Sequence, residues 1–183
     1  MQRFAVPERR TSVTAVTDVS FLDDGGRARR IVDGVHARNS QQLYGFALRL
    51  GLLEDEAADL VQEVLLRLFR TLARGDDIAE PGAWAYRTAF HLAMDRHRVQ
   101  RRWLAFVERL APSDPSTPSS DDLVAVWSEV DALPPRQRAV LYLHYRADLT
   151  YETIGRILDI DASSARANAS RGLARIRLRL EER

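Results

Sequence analysis

The sequence contains no cysteine and no lysine. Without cysteine there is no disulfide framework, no thiolate metal site and no cysteine nucleophile. Without lysine, all 27 basic side chains are arginines, able to make planar, two-pronged contacts. An all-arginine set is equally what a biased base composition would produce. No apolar run approaches the roughly 20 residues that span a bilayer. The first residues, MQRFAVPERR, lack the apolar stretch of a secretory signal. A cytoplasmic protein with no membrane insertion is therefore expected. There is no G-x-S-x-G, no phosphate-binding P-loop and no G-x-G-x-x-G, so no enzyme class is indicated. The four histidines, His36, His91, His97 and His144, are scattered, and His91 and His97 do not share a helical face. No metal or other cofactor is expected.

What is present is an ample apolar complement, 45% of 183 residues, enough for one domain or two small ones. The 26 acids nearly cancel the arginines, leaving a net charge of +1. Spread evenly, such a charge would argue against a nucleic-acid partner. It is not spread evenly. Residues 54–63 hold five acids and no base, and residues 86–102 hold five arginines against Asp95 alone. Residues 113–131 hold five acids and no base, and residues 163–180 hold five arginines and no acid. One charged block is ordinary for a solvated helix face. Four in alternation point to separate surfaces with separate partners.

Residues 1–27 are polar and aperiodic, ending in Gly25-Gly26, and read as a mobile tail. Helical patterning starts near Ile31 and is clear from Leu43. Leu60, Val61, Val64, Leu65, Leu68, Phe69 and Leu72 then form a wide apolar stripe on one helical face. Residues 74–82 form a loop in which Pro81 suits a helix start. A third helix runs from Ala83 to about Phe106, its second half basic. Residues 111–122 contain three prolines, four serines and three aspartates and read as a flexible acidic linker. The organisation is a tail (1–27), a helical domain (28–107), a linker (108–122) and a second helical domain (123–183). The latter opens with a helix over 121–133. No segment alternates with period two, so the fold is expected to be all-α.

The second domain has the pattern of a helix-turn-helix. Thr150 can cap the first helix, and Ile154, Ile157 and Leu158 point inward. Gly155 sits where the helices cross and a Cβ would obstruct close approach. On the second helix Ala165, Ala169, Leu173, Ile176 and Leu180 form the expected buried stripe. Ser163, Ser164, Arg166, Asn168 and Arg171 face outward near its N-terminal end, the part that enters a major groove. Arginine and asparagine suit guanine and adenine edges, and serine suits phosphate or base. Arg175, farther along, is expected to meet phosphate or solvent. A basic helix that merely closes a bundle has the same pattern. Gly172 should cost roughly 1 kcal/mol relative to alanine in mid-helix, and nothing in the sequence accounts for it.

In the first domain, Trp84, Tyr86, Phe90, Trp103 and Phe106 lie on or beside the basic helix. Arginines interleaved with aromatics suit unstacked single-stranded bases. At helical spacing, two or more of Trp84, Tyr86 and Phe90 are equally explained as core.

EAADLVQEVLLRLFRTL (56–72) resembles the core-polymerase-binding helix of bacterial sigma factors. WAYRTAFHLAMDRHRVQRR (84–102) resembles their −10-melting helix, and residues 131–180 resemble their −35-reading domain. The short acidic linker, with no domain between, is similar to that of the extracytoplasmic-function group. The resemblance implies docking on the β′ clamp helices through Asp59, Gln62 and Glu63, with further contact to the β subunit. It implies −10 contacts by Arg87, His91, Asp95, Arg96, Arg98, Arg101 and Arg102. It implies −35 contacts by Ser163, Ser164, Arg166, Asn168, Arg171 and Arg175. RNA polymerase core, promoter DNA and an anti-sigma factor are the partners it implies. The sequence departs from the family pattern at His91, where asparagine is usual, and at Ser164–Asn168, where a Thr-Val-x-Ser-Arg run is common. The other reading of the residues is a stand-alone helix-turn-helix regulator whose first domain dimerises or senses a ligand; the acidic face at 54–63 argues against a dimer interface.

Overall fold

The computed structural model describes residues 19–107 and 129–181. The tail residues 1–18, the linker and the apolar residues Leu123, Val124 and Trp127 lie outside the described residues. So do the side chains of Arg101, Arg102, Trp103 and Phe106. Helices account for every regular element described: α1 (Val19–Arg49), α2 (Glu54–Ala73), α3 (Pro81–Val107), α4 (Pro135–Tyr145), α5 (Tyr151–Leu158) and α6 (Ala162–Glu181). Helical residues 129–131 precede α4.

α1 begins at Val19, so residues 19–27 continue a helix rather than forming part of a tail. Gly25 and Gly26, at the end of the expected tail, lie inside this helix. Two glycines weaken a helix without ending it when the following turns are anchored, and here Ala28 and Val35 are buried. α1 ends where Gly51, at φ 94°, turns the chain into α2.

α2 follows its sequence pattern closely. Ala57, Leu60, Val61, Val64, Leu68 and Leu72 are buried. Its first turn is Glu54, Asp55 and Glu56, negative side chains at the positive end of the helix dipole. Leu53 has no side-chain oxygen to cap with, but its N–H donates to Glu56 Oε2 at 3.0 Å, half of a capping box. α3 starts at Pro81, whose missing N–H would have been unpaired there in any case. It packs Ala85, Tyr86, Ala89, Phe90 and Ala93 against α1 and α2.

In the second unit α4 is buried along most of its length, with Ala139, Val140, Leu141, Tyr142 and Leu143 inside. Thr150 caps α5 by accepting from the Thr153 N–H at 3.3 Å. Asp159 closes α5 in the left-handed conformation, φ 57°. Asp161 then starts α6, accepting from the Ser164 N–H at 2.7 Å and the Ser164 hydroxyl at 2.7 Å. These bonds, with one from Ser163, hold the Asp161 carboxyl well below the usual carboxylate range. A Cβ on Gly155 would stand 2.6 Å from the carbonyl oxygen of Ile160. The close approach is thus to the turn backbone as well as to the next helix.

The buried stripe of α6 differs from the expected one. Ala165, Ala169, Gly172 and Ile176 are buried, while Leu173 and Leu180 are 42% and 45% exposed. A period of 3.6 carries the inner face through position 172 rather than 173. A Cβ at Gly172 would lie 3.0 Å from Leu141 Cδ1 and 3.4 Å from Leu133 Cδ1. That close approach is the reason for glycine which sequence alone lacked.

The two units are packed together, not merely tethered. Phe46 of α1 meets Tyr86 edge-on at 5.6 Å and Tyr142 of α4 at 5.5 Å. The Tyr142 hydroxyl donates to the Gln42 carbonyl at 2.8 Å. Arg49 pairs with Asp131 at 2.9 Å. Their buried residues form one continuous hydrophobic cluster.

Candidate nucleic-acid and core-polymerase interfaces

The polar face of α2 stands opposite its apolar stripe. Asp59 and Gln62 are exposed there, and Glu63 is half-buried. Glu63 accepts from Arg67 Nε at 2.6 Å, which lowers its carboxyl from the usual value. Among the described residues Asp59 makes no such bond, so the acidic surface is carried by Asp59, Glu54 and Asp55, with the neutral amide of Gln62 exposed beside them.

On α3, Arg87, His91, Asp95 and Arg98 are all exposed. Spacings of four, four and three residues place them in one row along the helix. Arg98 and Asp95 approach to 3.7 Å. Arg96 lies on another side, where its guanidinium donates to the Glu56 carbonyl at 2.6 Å. His97 is turned the same way and donates from Nε2 to the Leu50 carbonyl at 2.6 Å. Arg96 ties the basic helix to the start of α2, and His97 ties it to the turn that follows α1. Of the aromatics, Tyr86 and Phe90 are core, and burial raises the Tyr86 phenol above its usual value. Trp84 is half-buried and lines an open cleft of about 460 Å³ with Glu80, Arg87 and Arg156.

That cleft lies between the two units. Arg156 of α5 grips Glu80 with both guanidinium arms, at 2.9 and 3.1 Å. Arg87 and Asp159 approach to 3.9 Å. Neither Glu80 nor Arg156 stood out in the sequence, because a pair 76 residues apart leaves no local pattern.

At the start of α6, the Ser163 and Ser164 hydroxyls are turned onto Asp161. Asn168 Nδ2 donates to the Ser164 carbonyl at 2.8 Å. Arg175 donates to the buried Gln137 at 3.2 Å. Arg166 and Arg171 project outward. The arrangement is a helix whose first turn is fixed by its own polar side chains and whose N-terminal half carries two outward cations, Arg166 and Arg171.

Comparison with known proteins decides the class. Residues 35–103 match Sigma-70 region 2, and residues 123–176 match Sigma-70 region 4. The chain belongs to the extracytoplasmic-function (ECF) sigma factors. It is 28% identical over 162 residues to the ECF RNA polymerase sigma factor SigE of Mycolicibacterium smegmatis, a match covering 79% of this chain and 60% of that protein. It is 29% identical over 133 residues to the RNA polymerase sigma-E factor of Streptomyces avermitilis, covering 70% and 73%. The sigma factor SigW of Bacillus subtilis is 25% identical over 143 residues, covering 69% and 76%. The chain thus spans less than two thirds of the M. smegmatis relative's length. In fold it is similar to the sigma factor RpoE of Bartonella quintana, solved with the anti-sigma factor NepR, at a TM-score of 0.64 and 20% identity; the match covers 78% of this chain and 91% of that one. In this sigma factor the exposed row on α3 falls in region 2, and α5 and α6 fall in region 4. None of the described helices is long and apolar enough to cross a membrane.

Proposed function

We propose that this sigma factor docks on RNA polymerase core through the Asp59 and Gln62 face of α2, in the cytoplasm. The α3 row of Arg87, His91, Asp95 and Arg98, continued by Arg101 and Arg102, takes the −10 element and its melted strand. The outward N-terminal half of α6 takes the −35 element, and the chemistry of transcription belongs to the polymerase. The observation carrying this reading is the pairing of an exposed basic row on one unit with an exposed recognition-type helix on the other. Arg96 and Arg175 act within it as internal ties rather than as primary DNA contacts, because each already has a protein acceptor.

The reading has a geometric consequence. Elements centred at −10 and −35 are about 25 base pairs apart, roughly 85 Å of duplex at about 3.4 Å per pair. Here a −10 residue, Arg87, lies 3.9 Å from Asp159, at the turn before the −35 helix. Both readers cannot rest on their elements in this arrangement, so the packed form is the unbound one and engagement separates the units. Weak DNA binding without core follows.

Run-off transcription with purified core on a promoter library tests the assignment. Converting Asp59 and Gln62 to arginine should abolish core binding and transcription, with the circular dichroism spectrum unchanged. Unchanged core affinity would sink the α2 assignment. A gel shift as tight without core as with it would sink the sigma-type mechanism.

A further inference from the structure

Arg166 is held differently from every other outward side chain of α6. Its guanidinium carbon lies 5.1 Å from the centre of the Tyr151 ring. Tyr151 is the first residue of α5 and is half-buried. Its ring stacks on the His144 imidazole, with centroids 4.4 Å apart and planes 24° from parallel. His144 is fixed in turn, because Nδ1 donates to the Leu149 carbonyl at 3.0 Å. The backbone beneath Tyr151 is set by the Thr150 cap, and the backbone beneath Arg166 by the Asp161 cap. The result is a graded support: α4 holds His144, His144 holds Tyr151, and Tyr151 holds Arg166.

An aromatic ring touches the flat face of a guanidinium and leaves its N–H edge free. That edge is what makes a two-pronged contact with guanine O6 and N7 in a major groove. A long side chain that is already oriented in the free protein loses less freedom on binding. The neighbouring polar groups are otherwise engaged: Ser163 and Ser164 with Asp161, Asn168 with a backbone carbonyl, and Arg175 with Gln137. Arg171 is outward but has no ring beneath it among the described residues.

We propose that Tyr151 is a positioning residue for sequence readout, its ring orienting Arg166 for a two-pronged contact with one guanine of the −35 element. The proposal rests on the reading of α6 as the −35 helix. It gives α5 a share in specificity although Tyr151 itself touches no base.

The test uses holoenzyme reconstituted from core and variant chains, transcribing templates with each −35 position randomised. Arg166→Ala should erase the guanine preference at one position, a roughly tenfold to hundredfold loss of discrimination. Arg166→Lys should erase the same preference while keeping the salt dependence of binding, since the charge remains and the planar fork does not. Tyr151→Leu should weaken discrimination severalfold at that position alone, and Tyr151→Phe should retain it. In the Arg166→Ala background, Tyr151→Leu should add nothing. A merely structural Tyr151 would behave otherwise: Tyr151→Leu would lower transcription evenly over all −35 sequences and would add to Arg166→Ala. Either result overturns the proposal, as does an intact guanine preference in Tyr151→Leu. If neither Arg166→Ala nor Arg171→Ala changes any −35 preference, the −35 reading of α6 fails and the proposal falls with it.

Discussion

Each of the two units exposes a basic helix, and each holds it by different physical means. In the first, α1, α2 and α3 run for 31, 20 and 27 residues, and packing does the work. Phe46, Leu43, Leu50, Leu60 and Leu68 are fully buried there, and the α2 stripe is wide enough to be sandwiched. In the second, α4 and α5 are only 11 and 8 residues long. Helices that short are not self-supporting in water. Their ends are therefore fixed one by one: Pro135 at the start of α4, Thr150 before α5, left-handed Asp159 after it, and Asp161 before α6. A helix backed by packing tolerates changes at its ends. A helix backed by caps and close approaches does not.

The contrast can be broken at the point where the units meet. Phe46 touches Tyr86 on one side and Tyr142 on the other. Phe46→Ala should cost about 3–5 kcal/mol, the range for deleting a buried aromatic. Because the cluster is continuous, denaturant unfolding followed by probes on α2 and on α6 should shift together. If only the α2 probe moves, the units are independent and share no core. Gly155→Ala should come next, at about 1–3 kcal/mol for overpacking against backbone that cannot yield. Because the units share one core, the α2 and α6 probes should again shift together, while the loss of transcription should be confined to −35-dependent promoters. A harmless Gly155→Ala would mean that the Ile160 carbonyl, 2.6 Å from the new Cβ, moves freely.

Much of this was legible in the residues, for stated reasons. The α2 stripe, the Pro81 start and the Thr150 cap are local signals, and local signals survive in a bare sequence. The start of α1 was not, because Gly25-Gly26 has the same composition in a helix as in a break. Period counting drifts by one position over two turns, so the sequence does not separate Leu173 from Gly172 as the inner position; only the Leu141 and Leu133 side chains decide it. The roles within the basic helix were partly recoverable. Spacings of four, four and three already place Arg87, His91, Asp95 and Arg98 on one face and leave Arg96 off it. The junction was not recoverable. Gln42 and Tyr142 are 100 residues apart, and neither is unusual where it stands. Tyr151 has no local signal either, since its partners His144 and Arg166 come from two other helices.

The caps of the second unit make it the more acid-sensitive of the two. Hydrogen bonds from Ser163 and Ser164 depress the Asp161 carboxyl below its unfolded value of about 3.9. A depressed carboxylate contributes stability above the unfolded value and loses it as pH falls towards the folded one. The contribution is therefore complete at neutral pH and declines below about pH 4. Helicity of α6, followed by circular dichroism through an acid titration, should fall earlier in Asp161→Ala than in the parent chain. Asp161→Asn keeps an acceptor oxygen and should flatten that dependence. Equal acid midpoints for all three would remove Asp161 as the reason for the difference between the units.

The smallest effect on stability sharpens the comparison most. Arg156 and Glu80 form a two-armed pair across the junction, with side chains 62% and 50% exposed. Exposed pairs contribute about 0–1 kcal/mol, so Arg156→Ala should barely change the unfolding midpoint. Its effect should lie in how the units are held. The contact joins the loop before α3 to the helix before α6, and it lies beside the Arg87–Asp159 approach. Removing it takes away one tie between the two units while leaving Phe46, Tyr142 and the shared core intact. Fluorescence energy transfer between labels on α2 and α6 should report a larger separated fraction in Arg156→Ala without core. The difference should shrink as salt is raised, since salt weakens the parent's pair as well. Identical transfer in parent and variant at low salt would mean that the apolar junction alone holds the units together, and that packing governs the second unit's placement even where caps govern its helices.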